Sequence, residues 1–157
     1  MRILVLSDTH RHVALAQKAI EAQPTARHIF FLGDVLRDLE ELKPLYPDRI
    51  FHAVSGNCDF ASFEPSTDME HLADINIFFT HGHPYGVKYG IRHLLQAAAD
   101  RNCKLALYGH THVASIYYED GVTCVNPGSC GDSRSGANSY AVVDIEPNGI
   151  MPIIIPL

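Results

Sequence analysis

The sequence repeats one arrangement, in which a short apolar segment runs directly into a polar motif. It occurs five times: residues 3–6 before Asp8-Thr9-His10, 28–32 before Gly33-Asp34, 50–54 before Gly56-Asn57-Cys58-Asp59, 75–80 before His81-Gly82-His83, and 105–108 before Gly109-His110-Thr111-His112. Apolar segments of this length are typical of strands covered on both faces. Because the carboxyl ends of strands are where α/β folds form ligand sites, we predict one site built from five strand ends.

The remaining elements predict the fold class. Helical periodicity occurs at residues 13–22, 35–42 and 91–101, and further strands are predicted at 114–118, 122–125, 140–145 and 150–155. Alternating strands and helices in the first half favour a parallel sheet, and the strand-rich second half favours antiparallel pairing. We therefore predict an α/β fold of two sheets packed face to face with helices outside, in a single domain of residues 1–157. Residues 128–139 are predicted to form a surface loop.

Composition excludes several classes of protein. The formal net charge of −6 and the absence of a basic or aromatic patch argue against a stable nucleic-acid complex. No apolar segment approaches the roughly 20 residues that a membrane helix needs, and no secretory signal is recognisable, so a cytoplasmic protein without membrane contact is expected. The four cysteines form no CxxC pair and are expected to be reduced.

The polar motifs have the composition of a metal site. Residues two apart point the same way in extended backbone, so Asp8 with His10, His81 with His83 and His110 with His112 can each present two side chains to one site. Carboxylate, amide and imidazole ligands without thiolate suit Mn, Fe, Co, Ni, Zn or Mg. A carboxylate such as Asp34 can bridge two ions, and such a pair can activate a hydroxide for attack on phosphorus.

Each motif taken alone also has an ordinary explanation. Asp34 could cap the following helix, and Gly56-Asn57 could form a simple turn. Two histidines directly after a buried strand, as in Gly109-His110-Thr111-His112, rarely serve packing. The metal interpretation therefore depends on all five motifs occurring in order, each after an apolar strand.

The ordered motifs D-x-H, G-D, G-N-x-D, H-G-H and G-H-T-H resemble those of the calcineurin-like metallophosphoesterase superfamily. The short chain, with Gly56-Asn57-Cys58-Asp59 and a late Asn126-Pro127-Gly128-Ser129, is similar to the small prokaryotic phosphodiesterase branch and to the retromer vacuolar-sorting scaffold subunit. The resemblance implies an αββα sandwich and two divalent ions, with manganese placed first. It implies one ion held by Asp8, His10, Asp34 and His112, and a second held by Asp34, Asn57, His81 and His110.

The resemblance also implies roles for residues beside these ligands. Asp59 would orient a ligand or a catalytic side chain, and His83 would lie near the substrate. Many members have His where this sequence has Cys58, and there it helps to protonate the leaving group. His83 is then the remaining candidate proton donor, because Pro84 favours extended backbone at His83, so that it faces the way His81 does. Arg11 and Arg134 are candidate contacts for a substrate phosphate.

Three functions agree with these observations. The first is a two-metal phosphodiesterase acting on a small substrate, and Cys58 favours it. The second is a phosphomonoesterase acting on a nucleotide or another small phosphate. The third is a non-catalytic scaffold like the retromer subunit, which lacks some of the ligand residues, whereas here all seven positions are filled. A homo-oligomer is compatible with each of the three.

Overall fold

The computed structural model describes residues 1–157 and contains ten strands and three α-helices. The strands are β1 (Arg2–Leu6), β2 (His28–Phe31), β3 (Ile50–Ala53), β4 (Thr67–Leu72), β5 (Ile75–Thr80), β6 (Cys103–Leu107), β7 (Ser115–Glu119), β8 (Val122–Asn126), β9 (Ser139–Glu146) and β10 (Gly149–Pro156). The helices are α1 (Val13–Glu21), α2 (Arg37–Leu42) and α3 (Arg92–Ala99). With nine residues in the longest, none of them has the length and apolar content to cross a membrane.

The strands form two five-stranded sheets, in the orders β10-β9-β1-β2-β3 and β4-β5-β6-β8-β7. In the first sheet β1, β2 and β3 are parallel, as the alternation of strand and helix predicted. The prediction of antiparallel pairing in the second half holds for β9 with β10 and for β7 with β8. It is wrong for β5, β6 and β8, which are parallel neighbours because α3 and β7 supply the crossover connections.

The core has the layers of an αββα sandwich, which confirms the predicted fold class. Alternate residues of β1 point to opposite faces of the sheet, as the two-residue period of a strand requires. Ile3 and Val5 pack between the two sheets, whereas Leu4 and Leu6 pack beneath α1 and α2. A third cluster packs α3 on the outer face of the second sheet. This packing holds the carboxyl ends of β1, β2, β5 and β6 at one end of the sandwich.

Two elements differ from the sequence predictions. The edge strand β4 was not predicted, because its sequence Thr-Asp-Met-Glu-His-Leu is mostly polar and its side chains are exposed or half-buried. The prediction that residues 128–139 form a surface loop is wrong for the start of this segment, because Ser129 and Cys130 are fully buried. The remainder of that loop is largely exposed up to the start of β9.

A pair of histidines lies at the edge where β3 faces β4, and one of them, His52, contacts Glu70 of the other sheet. His28 Nδ1 lies 2.9 Å from His52 Nε2, and His52 Nδ1 lies 3.2 Å from the Glu70 carboxylate. The His52 ring stacks on Phe30, with 4.6 Å between centroids. Burial lowers the pKa of both histidines, although Glu70 acts in the opposite direction.

This pair predicts that the fold loses stability in mild acid. A histidine whose pKa is lower in the folded state binds more protons when unfolded, so stability falls as pH drops below about 6.5. His52→Phe preserves the ring stacking and removes the titrating group. We expect the fall in Tm between pH 7 and pH 5, measured with chelator present, to be smaller in this variant than in the wild type. His93→Phe, at an exposed position of α3, is the control, and an equal fall in all three proteins would contradict the prediction.

Candidate metal centre

The predicted site residues meet where the carboxyl ends of parallel strands from both sheets approach each other. Within the first sheet, the Asp8 amide donates to the Gly33 carbonyl at 3.1 Å. Within the second, the Gly109 amide donates to the His81 carbonyl at 2.9 Å. Across the sheets, His81 Nδ1 donates to the Leu32 carbonyl at 2.7 Å. The motifs after β1, β2, β5 and β6 are therefore fixed to one another by two backbone hydrogen bonds and by the bond from the His81 ring.

Four of the candidate ligands form a tight cluster. Each of them offers one ligand atom, and these atoms all lie within 4.8 Å of one another: Asp8, His10, Asp34 and His112. His112 Nε2 lies 3.1 Å from Asp8 Oδ1 and 3.3 Å from His10 Nε2. This spacing suits a single cation held by two carboxylates and two imidazoles.

The other three candidates lie beside this cluster. His81 Nε2 is 3.1 Å from Asn57 Oδ1 and 3.5 Å from Asp34 Oδ2. The His110 ring lies 5.0 Å from the His81 ring, centroid to centroid. The Asp34 carboxylate is thus close to both groups of side chains.

The backbone at the site explains how the paired residues converge. Five of the candidate ligands adopt positive φ: Asp8 at 53°, His10 at 44°, Asp34 at 49°, His110 at 69° and His112 at 59°. The assumption of extended backbone is therefore wrong for Asp8 with His10 and for His110 with His112, which are brought together by tight turns instead. Positive φ is uncommon in residues other than glycine, and such residues cluster where surrounding structure fixes a functional site.

Hydrogen bonds orient two of the imidazoles. Besides the bond from His81 to Leu32, His112 Nδ1 donates to the Asp132 carbonyl at 2.6 Å. A carbonyl oxygen only accepts, so the ring proton of each neutral histidine sits on Nδ1. Each Nε2 lone pair is then free and directed into the cluster, which is the usual arrangement of histidines that bind metals.

One buried oxygen has no partner within the protein. Asp8 Oδ2 accepts hydrogen bonds from the Ser7 hydroxyl at 2.5 Å and from the His110 amide at 3.1 Å. Asp8 Oδ1 is buried and accepts none, although His112 Nε2 is close. A buried carboxylate oxygen without a donor is costly, and a cation in the cluster would satisfy it. The residues present therefore fit a divalent metal ion.

The carboxylates set the protonation of the site in the metal-free protein. Burial acts to raise the pKa of Asp34, but hydrogen bonding and attraction from His81 outweigh it and hold that pKa well below its usual range. Interaction with Asp8 raises the pKa of His112. Burial and the neighbouring His81 lower the pKa of His110 to about 4. Since a ligand must be deprotonated to bind a metal, protons compete with the metal for His112.

Two glycines allow the motifs to approach this closely. A Cβ at Gly56 would overlap the Asp34 carboxylate, and a Cβ at Gly109 would overlap the Ser7 hydroxyl. Only a residue without a side chain fits either position, because the overlapping groups belong to buried side chains at the site.

Several supporting residues were not identified as functional from the sequence. Ser129 Oγ donates to the Asp8 carbonyl at 2.7 Å, and Asn126 Nδ2 donates to the Gly109 carbonyl at 3.0 Å. Asp38 accepts hydrogen bonds from the Thr9 hydroxyl at 2.5 Å and from the Arg11 amide at 2.9 Å. The motif Asn126-Pro127-Gly128-Ser129 was the available signal for the first two; nothing in the sequence pointed to Asp38.

The predicted catalytic residues lie beside the cluster. Asp59 accepts hydrogen bonds from the amides of Asp34 and Gly56, at 2.9 and 2.8 Å, so it holds these two motifs together. The Cys58 amide donates to Asp34 Oδ1 at 2.9 Å. Partial burial of the thiol and the Asp34 carboxylate raise the pKa of Cys58 to about 11, although the residue as a whole is exposed.

His83 reaches the site by a different route from the predicted one. It begins a 3₁₀ turn, His83–Tyr85, after Gly82 in left-handed conformation, so the expectation of extended backbone at His83 is wrong. Its ring is nevertheless 5.4 Å from that of His81, and its Nδ1 is buried without a partner. Burial and His81 lower its pKa.

The two predicted substrate contacts are at the periphery. Arg11 is exposed and lines a cleft with Arg37 between α1 and α2. Arg134 is exposed, and its amide donates to the His112 carbonyl at 3.1 Å. Neither guanidinium lies within the cluster of candidate ligands.

Comparisons with known proteins agree on one family. A model of the calcineurin-like phosphoesterase superfamily domain matches residues 1–148. The chain is 28% identical to "Probable metallophosphoesterase YsnB" of Bacillus subtilis, over 93% of this chain and 85% of that protein. It is 25% identical to a phosphodiesterase of Methanocaldococcus jannaschii, over 99% of both chains.

Solved structures share the fold. A Streptococcus pneumoniae protein described as a predicted phosphoesterase superposes with a TM-score of 0.85 at 26% identity, covering 99% of this chain and 88% of the other. The Zn²⁺ complex of Vps29 from Entamoeba histolytica superposes with a TM-score of 0.72, covering 99% of both chains. At 20% identity, the second likeness concerns the fold alone.

Proposed function

Because the chain belongs to the calcineurin-like phosphoesterase superfamily, we propose that it is a phosphodiesterase that uses two divalent metal ions. Membership of this family, together with a relative named a probable metallophosphoesterase, supports a metal-dependent phosphoester hydrolase. The preference for diesters is supported by the Methanocaldococcus jannaschii relative, which is named a phosphodiesterase. The observation that carries the proposal is the cluster of four ligand atoms within 4.8 Å around the unpartnered Asp8 Oδ1.

The residues divide into two ligand sets that share Asp34. We assign Asp8, His10, Asp34 and His112 to one ion, and Asp34, Asn57, His81 and His110 to the other. When bound, a pair of such ions lowers the pKa of water and neutralises charge that develops on the phosphoryl oxygens. Oxygen and imidazole ligands suit Mn²⁺, which we place first, and also Fe, Co, Ni, Zn or Mg.

The surrounding residues position this machinery. The Asp59 carboxylate accepts hydrogen bonds from three backbone amides, those of Asp34, Gly56 and, at 2.8 Å, Leu36. These bonds fix the turn on which Asp34 lies. Cys58 lies at the edge of the site next to Asp34, at the position where the family resemblance places a residue that assists the leaving group. His83, with its buried and unpartnered Nδ1, is the side chain available to hold or deliver a proton there. Arg11 and Arg134 remain candidate phosphate contacts at the rim.

A metal and substrate analysis tests this function. Elemental analysis of the purified protein is expected to approach two divalent ions per chain. With Mn²⁺ added, bis(4-nitrophenyl) phosphate should be hydrolysed faster than 4-nitrophenyl phosphate, and chelation should abolish both activities. A preference for the monoester would indicate the phosphomonoesterase alternative. A protein that retains no metal and hydrolyses neither compound would indicate the scaffold alternative, and the proposal would then fail.

A further inference from the structure

Two phenylalanines next to the candidate metal centre are fully exposed. Phe60 and Phe63 have exposed fractions of 96% and 105%, so neither ring is covered by the rest of the chain. Removing an apolar side chain from water lowers the free energy, but neither of these rings is buried in the isolated chain. They lie three residues apart in a loop without another aromatic residue, so the sequence showed no aromatic patch here.

The loop that carries them is anchored to the metal centre. At one end, Asp59 is hydrogen-bonded to the Asp34 amide, and the Ser62 amide donates to the Asp59 carbonyl at 3.1 Å. At the other end, the Pro65 carbonyl accepts from the Ser55 amide at 2.8 Å. The loop is therefore closed at its base, and its base is part of the site.

The two phenylalanines line a cleft that adjoins the site at Cys58 and Asp59. Its volume is about 560 Å³, within the range of small-molecule pockets. Cys58 and Asp59 form the side next to the metal centre, and Leu36 and Leu39 add apolar surface. Successive Cα atoms are about 3.8 Å apart, so the Cα atoms of Phe60 and Cys58 are separated by at most about 7.6 Å.

We propose that this cleft, the aromatic subsite, binds the nucleobase of a nucleoside phosphodiester. The inference depends on the proposed function, because the cleft begins at Cys58, whose amide is hydrogen-bonded to Asp34, and an ester group of a diester held at the metal centre can reach it there. Exposed aromatic rings bind bases by stacking, which tolerates any base. The cleft is lined by two cations and three carboxylates, namely Arg37, Lys43, Glu40, Asp59 and Glu64. That balance suits one nucleoside rather than a polyanionic strand.

Equilibrium binding to the Mn²⁺-loaded protein tests the subsite. Adenosine 5′-monophosphate and ribose 5-phosphate share the phosphate and the sugar and differ by the base. We expect the nucleotide to bind about tenfold more tightly, which corresponds to about 1.4 kcal/mol. In Phe60→Ala/Phe63→Ala the ratio of the two Kd values should fall to about one, through weaker nucleotide binding alone. Tyr118→Ala is the control, since Tyr118 is 77% exposed and lies at the opposite end of the sandwich, beside Ile75 and Lys104.

The outcomes separate the subsite from the proposed function. A wild type that hydrolyses diesters but binds both compounds equally overturns the subsite alone. A wild type that fails to hydrolyse diesters but shows the base-dependent ratio overturns the phosphodiesterase function alone. The third outcome concerns a dimer. If light scattering shows that the wild type is a dimer and the double variant a monomer, and the double variant keeps the ratio of Kd values, the two rings form a contact between copies and the subsite is overturned.

Discussion

Asp34→Asn is expected to reduce hydrolysis of bis(4-nitrophenyl) phosphate at least about 100-fold at saturating Mn²⁺. The carboxylate lies 3.5 Å from His81 Nε2 and belongs to the cluster formed with Asp8, His10 and His112. The amide removes one negative charge from both proposed ligand sets at once. It also leaves the backbone undisturbed, because Asn tolerates positive φ as readily as Asp does.

A matched control separates loss of charge from loss of fold. Asp120 has a φ of 53°, close to the 49° of Asp34, but lies in the turn between β7 and β8. Asp120→Asn therefore repeats the substitution in the same backbone conformation away from the site, and should keep full activity. Metal content of Asp34→Asn should fall along with activity. Full activity and two retained ions in Asp34→Asn would show that Asp34 does not bridge.

Cys58→His is expected to raise hydrolysis of diesters with poor leaving groups, by a factor of up to about 100. General acid catalysis contributes roughly 10²–10⁴-fold, and most where the leaving group is strongly basic. With a pKa of about 11, the thiol of Cys58 is far from the value near the working pH that suits an acid catalyst. Rates for a series of aryl and alkyl diesters, plotted against leaving-group pKa, should fall less steeply in this variant. Cys58→Gln, which adds bulk without an acidic proton, should leave the slope unchanged.

His83→Ala is expected to have the opposite effect on the same plot. Burial and His81 lower the pKa of His83 in the metal-free protein, and a ring that takes up a proton beside the bound phosphate could pass it to the leaving group. Without this ring, the slope should become steeper, with little change for nitrophenyl esters. His93→Ala, on the exposed face of α3, controls for the loss of a histidine. Parallel lines for the wild type, Cys58→His and His83→Ala would mean that neither residue handles the leaving-group proton.

Apolar strands ending in polar motifs could be located from the sequence because burial on both faces leaves a local signal. The segments preceding Asp8, Asp34, Asn57, His81 and His110 all become strands, within two residues of the predicted bounds. The two-sheet sandwich followed from the same alternation. The exposed edge strand β4 could not be predicted, since pairing with β5 rather than burial makes it a strand.

The sequence by itself therefore determined which residue types end each strand, and that they occur in the order typical of a phosphoesterase. Only the tertiary structure decided how those residues meet. The paired ligands converge through positive φ at positions such as Asp8 and His112, not through extended backbone. Likewise, tertiary contacts of α2 bring Asp38 to the Thr9 hydroxyl and the Arg11 amide, and only the folded loop shows that Phe60 and Phe63 are exposed. Residue order is local information, whereas backbone conformation in a turn and exposure in a loop depend on contacts between distant parts of the chain.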